Sequence, residues 1–107
     1  MPANGIAVVN KKTHTPCACD VYVGRPSPLG NPFPMKSEAD RDTVIIQYNN
    51  WLRLNQNNTT VRDKLLMIKA RVQMGMQVHL VCFCAPKPCH ADVIKAVVTE
   101  LLDLDKI

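Results

Sequence analysis

The segment at residues 77–83, QVHLVCF, constrains the fold of this chain more than any other. It is short and apolar at nearly every position, which is typical of a strand buried on both faces of a parallel sheet. Parallel strands need crossover connections, which are usually helices, so the segment predicts an α/β fold with this strand at its centre. Side chains alternate between the faces of a strand. This alternation predicts one face with Val78, Leu80, Cys82 and Cys84, and an opposite face with His79, Val81 and Phe83. We expect His79 to be a core histidine.

Three stretches of helical periodicity accompany this strand. The first opens with Ser37 and Asp40, which resemble a capping box, and Tyr48 and Trp51 are expected in the core on its apolar face. The third opens with Pro88, because proline is favoured in a first helical turn. This order of elements predicts one small Rossmann-like α/β domain with flanking helices over residues 1–107. We expect helices to begin near Ser37, Thr60 and Pro88, and short strands at residues 5–9 and 20–23.

Composition restricts the classes of protein to which the chain can belong. Its 107 residues are 47% hydrophobic, which suits one globular core. No apolar run approaches the roughly 20 residues of a membrane span, and the first residues lack the order of a signal peptide. We therefore expect no membrane partner and a cytoplasmic location, which would be the host cytoplasm for a phage protein. The net charge of +4 favours an anionic ligand but falls short of a duplex-binding stripe.

Residues 24–33, GRPSPLGNPF, form a segment that we call the proline loop. Its prolines exclude a helix or a central strand, its glycines permit close backbone approach, and Arg25 offers a planar fork suited to phosphate or carboxylate. This content predicts an anion or nucleotide site, although the spacing of a P-loop or dinucleotide fingerprint is absent. In the alternative interpretation, the loop is a rigid connection in which Arg25 and Asn31 satisfy backbone carbonyls. The candidate ligand-binding residues are Gly24, Arg25, Ser27, Gly30 and Asn31.

Residues 82–90, CFCAPKPCH, form a second segment, which we call the cysteine turn. It joins the central strand to the third helix, and ligand sites of α/β sheets form at such places. A thiol in the first turn of a helix can lose its proton more easily, so Cys89 is expected to be reactive. His90 could pair with it or donate to a substrate oxygen, and Asp92 could orient His90 or simply favour the helix N-terminus. The candidate catalytic residues are therefore Cys89, His90 and Asp92.

The cysteines also permit two other interpretations. Thiolates and imidazole suit zinc, so zinc is the alternative to our first expectation of no cofactor, although C-x-C-x4-C-H is not the common C-x2-C knuckle. Such a site would use Cys82, Cys84, Cys89 and His90, and Cys17 and Cys19 could complete it. In the other interpretation, Cys82 and Cys84 are small buried apolar residues, as cysteines outside disulfides usually are.

The two segments together resemble a known family. The pattern YVGRPSPLGNPF, followed downstream by C-x-C-A-P-x-P-C-H-A-D-V, is similar to the small bacterial and phage proteins known as domain of unknown function 4326. The similarity runs from about Asp20 to Val97, so it implies no role for Cys17 and Cys19. The family has no established activity that could be transferred to this chain. By this resemblance, the residues of the proline loop that define the family pattern are Gly24, Arg25, Pro26, Gly30, Asn31 and Pro32. In the second pattern they are Cys84, Pro86, Cys89, His90 and Asp92.

These observations lead to three hypotheses about function. The first is a domain that binds a nucleotide or another phosphorylated small molecule and acts on it, or on a nucleic-acid end, with Arg25 and His90 at a common cleft. The second is a module without catalysis that sequesters a signalling nucleotide, as an anti-defence protein would. The third is a zinc-stabilised adaptor for nucleic acid or protein. Whether the chain is an enzyme stays open at this point, as does its oligomeric state.

Overall fold

The computed structural model describes residues 5–84 and 87–104. Within them the three strands form a parallel sheet in the order β1-β3-β2, so the strand before the cysteine turn is central, as predicted. The α/β class is confirmed. None of the helices in the described part of the chain has the length and apolar character of a membrane span. The elements are β1 (Ile6–Asn10), β2 (Asp20–Tyr22), a 3-10 turn (Glu38–Asp40), α1 (Arg41–Leu54), α2 (Thr59–Gln73), β3 (Val78–Cys82) and α3 (His90–Leu104).

One face of the sheet forms a continuous core with the helices. In the parallel register, Leu80 lies between Val8 of β1 and Val21 of β2, and paired residues point to the same side. The core on this side contains Ile6, Val21, Val78, Leu80 and Cys82 from the sheet, with Tyr48 and Leu52 from α1, Leu65 and Ile68 from α2, and Ile94 and Val98 from α3.

Among the described residues the opposite face of the sheet is only partly covered, so the prediction of burial on both faces holds for Val81, which is 6% exposed, but not for the whole face. His79 is half-buried and Phe83 is 49% exposed. Within the described residues, the segment after β1 covers part of this face, since the His14 ring contacts that of His79 and Lys11 lies over the Tyr22 ring. Because the described helices pack on the other face, this face is left for loops and for polar side chains.

The helix termini differ from the sequence prediction in one place. Ser37 is extended but its side chain makes no capping hydrogen bond, and a 3-10 turn separates it from α1, which begins at Arg41. The capping box predicted there is therefore not formed. At α2 the side chain of Asn58 accepts hydrogen bonds from two backbone N–H groups of the first turn, which is the usual N-cap arrangement. Gly75 follows this helix with φ of +82°, a conformation that favours glycine.

Candidate functional site

The proline loop begins directly after β2 and closes on itself. The N–H of Ser27 donates to the Gly24 carbonyl at 2.9 Å, and the N–H of Gly30 donates to the Ser27 carbonyl at 2.8 Å. A Cβ at Gly30 would lie 3.0 Å from both of these carbonyl oxygens, so a side chain there would press on backbone that cannot easily yield. At Gly24 a Cβ would collide with the ring of Tyr22. The glycines therefore permit the tight packing of this loop.

Arg25 braces the same loop from outside. Its Nε donates to the Asn31 carbonyl at 2.6 Å and its Nη2 to the Phe33 carbonyl at 3.0 Å, while the Asn31 side chain accepts from the Phe33 N–H at 2.8 Å. The bracing interpretation is therefore shown for Arg25. A guanidinium has five N–H donors, and within the described residues Nη1 makes no hydrogen bond, so one edge of the fork stays available for a ligand.

The loop is held to the core by two residues that the sequence analysis did not select as site residues. Leu29 is 1% exposed and lies in the hydrophobic core. The hydroxyl of Tyr48, in α1, donates to the Leu29 carbonyl at 2.6 Å, and burial raises the pKa of this phenol. Periodicity correctly predicted that Tyr48 is in the core. No local signal pointed to its bond with a carbonyl 19 positions earlier.

His90, the first residue of α3, connects the cysteine turn to the end of β2. Its Nε2 lies 2.6 Å from the Val23 carbonyl; a carbonyl only accepts, so Nε2 carries the hydrogen. The ring also packs edge-on against Tyr48, with 5.1 Å between centroids. Burial lowers the pKa of His90, and the charge of Arg25 lowers it further. The lowered pKa favours the neutral imidazole, whose Nε2 hydrogen is donated to the Val23 carbonyl.

Cys89 differs from its expected role. It is 3% exposed, and its Sγ lies 3.3 Å from the Sγ of Cys82. The contact with Cys82 and burial both raise the pKa of the Cys89 thiol. The N–H of Ala91 in the first helical turn acts in the opposite direction and lowers the pKa of this thiol, but it does not offset burial and the contact with Cys82. The structure therefore gives no support to the expectation of a reactive thiolate.

Asp92 caps α3. Its Oδ2 accepts a hydrogen bond from the Cys89 N–H at 2.9 Å, which is half of a capping box. Of the two roles considered for Asp92, the structure therefore shows the one at the helix N-terminus.

We expect Cys84, rather than Cys89, to be the first cysteine of this turn to react with iodoacetamide. Cys84 is half-buried and should be modified first, whereas Cys82 and Cys89 should stay unmodified in the native protein because the reagent cannot reach them. Timed alkylation followed by peptide mapping measures the three rates, and the same reaction in denaturant gives the fully exposed reference. Modification of Cys89 as fast as Cys84 would contradict the observed packing.

A pocket of about 160 Å³ lies between the proline loop, the start of α1 and the start of α3. Arg25 and His90 both line it, so the expectation that they share a cleft is confirmed. Gly24, Ser27, Gly30 and Asp92 do not line it. The other lining residues are Asn31, Phe33, Met35, Arg41, Val44, Ile45, Cys84, Pro88 and Cys89.

Arg41 is the charged pocket residue that sequence reasoning missed. Its Nη1 donates to the Pro88 carbonyl at 2.8 Å, and its Nε and Nη2 bind both oxygens of Glu38. Hydrogen bonds from Arg41, and then from Lys87, lower the pKa of Glu38 to about 2. The charge of Arg41 is thus largely balanced, whereas Arg25 forms no ion pair within residues 5–84 and 87–104. The one available sequence signal was the i, i+3 spacing of Glu38 and Arg41, which is common on any helix.

The alternative zinc set is not gathered into a metal site. One member of this set, His90, donates its Nε2 hydrogen to a backbone carbonyl. Pro86, which the family resemblance singled out, lies outside the described residues. Among the residues that the structure describes, the group of three or more close Cys, His, Asp or Glu donors is Cys17, Cys19, Asp20 and His79, on the other side of the sheet.

Comparisons with known proteins identify the chain at the level of its family. No curated protein and no solved structure matches it significantly. A family model does match, and it spans residues 6–100, so Cys17 and Cys19 lie inside the matched region rather than before it. The chain therefore belongs to the family described as Domain of unknown function (DUF4326).

Proposed function

We propose that this domain binds the phosphorylated end of a small molecule, such as a nucleotide or a nucleic-acid terminus, in the pocket between the proline loop and the cysteine turn. The proposal rests on one observation: Arg25, whose charge no described carboxylate balances, lines the same pocket as His90. Parallel α/β sheets form their ligand sites at the carboxyl ends of strands. Both segments follow such ends, those of β2 and β3.

The chemistry of the lining favours a phosphate over a neutral ligand. Arg25 keeps the Nη1 edge of its fork available, and a guanidinium fork matches the oxygens of a phosphate. Arg41 adds a second guanidinium, although Glu38 offsets it. Asn31 also lines the pocket. The guanidinium of Arg25 is held by hydrogen bonds to two backbone carbonyls. It therefore loses little conformational freedom when a ligand binds, which favours affinity.

The size of the pocket limits how much of a ligand it can enclose. Its volume of about 160 Å³ is below the roughly 300–1,000 Å³ of typical small-molecule pockets. A phosphoryl group with part of a sugar would fill it, and the remainder of a nucleotide would lie outside. The apolar side chains of Phe33, Met35 and Ile45 would then contact the sugar or the base.

The geometry favours binding without a covalent step at Cys89. A nucleophilic thiol needs a lowered pKa and access to its substrate, and Cys89 is buried with a raised pKa. His90 donates its Nε2 hydrogen to the Val23 carbonyl, so this hydrogen is not available to a substrate. The function we propose is therefore that of a ligand-binding module, in which these two residues shape the pocket.

We expect inorganic phosphate and adenosine 5′-monophosphate to cause saturable NMR shifts at pocket residues, whereas adenosine causes none. Arg25→Ala should weaken binding by about 10- to 100-fold, because a hydrogen bond to a charged group is worth about 1.5–3 kcal/mol. Arg25→Lys should weaken it by a smaller factor, since the ammonium keeps the charge but lacks the fork. Titrations of the 107-residue chain at fixed ionic strength give the dissociation constants.

The matched control is Lys64→Ala, which removes the same charge from an exposed position of α2 and should leave phosphate binding unchanged. Because Arg25 also braces the loop, backbone shifts of Asn31 and Phe33 in unliganded Arg25→Lys should first show that the loop keeps its shape. Equal binding of adenosine and its monophosphate, or unchanged affinity in Arg25→Ala, would refute the proposal.

A further inference from the structure

A second group of reactive side chains lies at the opposite end of β2 and β3 from the pocket. Donor atoms of Cys17, Cys19, Asp20 and His79 all lie within 4.8 Å of one another. The Nδ1 of His79 is 3.3 Å from the Sγ of Cys19, 3.7 Å from the Sγ of Cys17 and 3.2 Å from the Oδ1 of Asp20. Thiol sulfur, imidazole nitrogen and carboxylate oxygen are the donor types that bind zinc in proteins.

The three distances from the Nδ1 of His79 match the edges of a tetrahedron around a metal ion. Zinc binds sulfur at about 2.3 Å and nitrogen or oxygen at about 2.0–2.2 Å. At tetrahedral angles these bond lengths put a sulfur about 3.5 Å from a nitrogen, and a nitrogen about 3.4 Å from an oxygen. The observed separations of 3.3, 3.7 and 3.2 Å lie close to these values. One ion could therefore contact these donors once the two sulfurs, which are bonded to each other in this structure, have separated.

Local structure and sheet pairing together build this group. Within the turn, the N–H of Asp20 donates to the Cys17 carbonyl, and the N–H of Cys17 donates to the Oδ2 of Asp20. Asp20 then opens β2 and pairs with His79 of β3. The N–H of His79 donates to the Cys19 carbonyl at 2.9 Å. His79 is thus a half-buried residue on the open face of the sheet, and not the core histidine predicted from the sequence.

His14 provides a second layer around the group. Its Nε2 lies 2.9 Å from the Oδ1 of Asp20, and its ring packs edge-on against His79 with 4.9 Å between centroids. Ligands of a metal site are commonly held by such outer hydrogen bonds, which fix their orientation. His14 would therefore position Asp20 without binding the ion itself.

We propose that Cys17, Cys19, Asp20 and His79 form a structural zinc site in the reduced protein. Cys17 and Cys19 are joined by a disulfide in this structure, and the same sulfurs cannot hold a disulfide and a metal at once. After reduction to two thiols, zinc binding releases the thiol protons, because thiolates are the ligands. Two sulfurs, one imidazole and one carboxylate suit zinc among the divalent ions.

The position of the site indicates what the metal would do. Four protein ligands leave no open position for a substrate, which is typical of a structural site. The ion would tie the segment after β1 to the partly covered face of the sheet, through His79. This role is independent of the ligand pocket, since the pocket lies beyond the carboxyl ends of the same strands.

The test uses the full chain, reduced with a phosphine, freed of metal and titrated with zinc against a chromophoric chelator. We expect one zinc ion per chain, and cobalt in its place should give the intense visible bands of tetrahedral thiolate coordination. Cys19→Ser and His79→Gln should each weaken zinc binding by more than about 100-fold, and His14→Gln by about 10- to 100-fold, the range for outer-layer partners. Cys84→Ser is the control, because it removes a cysteine outside the group and should keep the wild-type affinity.

A second measurement needs no variant, so it remains valid if a substitution impairs folding. Zinc should protect Cys17 and Cys19 of the reduced wild-type chain from alkylation while Cys84 continues to react. The proposal is overturned if the reduced chain takes up no zinc, if Cys19→Ser binds it as tightly as wild type, or if zinc protects Cys84 rather than Cys17 and Cys19.

Discussion

Tyr48→Ala is expected to lower the free energy of unfolding by about 3–5 kcal/mol, the usual range for removing a buried aromatic side chain. Tyr48 is fully buried, contacts the ring of Trp51 and donates its hydroxyl hydrogen to the Leu29 carbonyl. Tyr48→Phe keeps the ring and removes only the donor, so it should cost about 1–3 kcal/mol, because a buried carbonyl loses its partner. Urea denaturation measures both values.

Ile46→Ala is the matched control for these variants. Ile46 lies on the same helix but is 62% exposed, so its truncation should change the free energy of unfolding by less than about 0.5 kcal/mol. If Tyr48→Phe were as stable as wild type, the bond to Leu29 would contribute nothing to holding the proline loop. The loop would then depend on packing alone.

Leu29→Ala is expected to destabilise the protein by about 2–5 kcal/mol, as for other buried leucines. The size of this effect is unusual for a loop residue, and it follows because Leu29 is 1% exposed within the core. Leu54→Ala, on the 85% exposed last residue of α1, is the control and should be close to neutral. Thermal and urea denaturation should agree on the order of these variants.

The same substitution also tests how the loop is connected to the pocket. Loss of the Leu29 side chain frees the segment that carries Arg25, so phosphate binding should weaken as well. Because Tyr48 and Leu29 contact each other, Leu29→Ala and Tyr48→Phe should show a coupling energy of about 0.5–3 kcal/mol in a double-mutant cycle. Strict additivity would show that helix α1 and the loop are stabilised independently.

Much of the fold could be predicted from local patterns. The apolar run around β3 and the three helical periodicities indicated the α/β class and the central strand, because burial imposes a period on the sequence. Gly30 and the prolines marked a tight loop, since their backbone preferences are local properties. The capping box at Ser37 was wrong because a 3-10 turn intervenes before α1.

The sequence by itself predicted that the proline loop and the cysteine turn lie together, and that Arg25 and His90 line one pocket. Only the tertiary structure decided the partners of each side chain. Cys89 is buried with its Sγ beside that of Cys82, and Arg41 donates a hydrogen bond to the carbonyl of Pro88, 47 positions away. The Sγ of Cys17 lies close to the Nδ1 of His79, 62 positions away. Cys17 comes just before β2, and the strand order places β2 beside β3. Spacing along the chain reports local conformation, whereas these contacts depend on which strands pair and which face the helices cover.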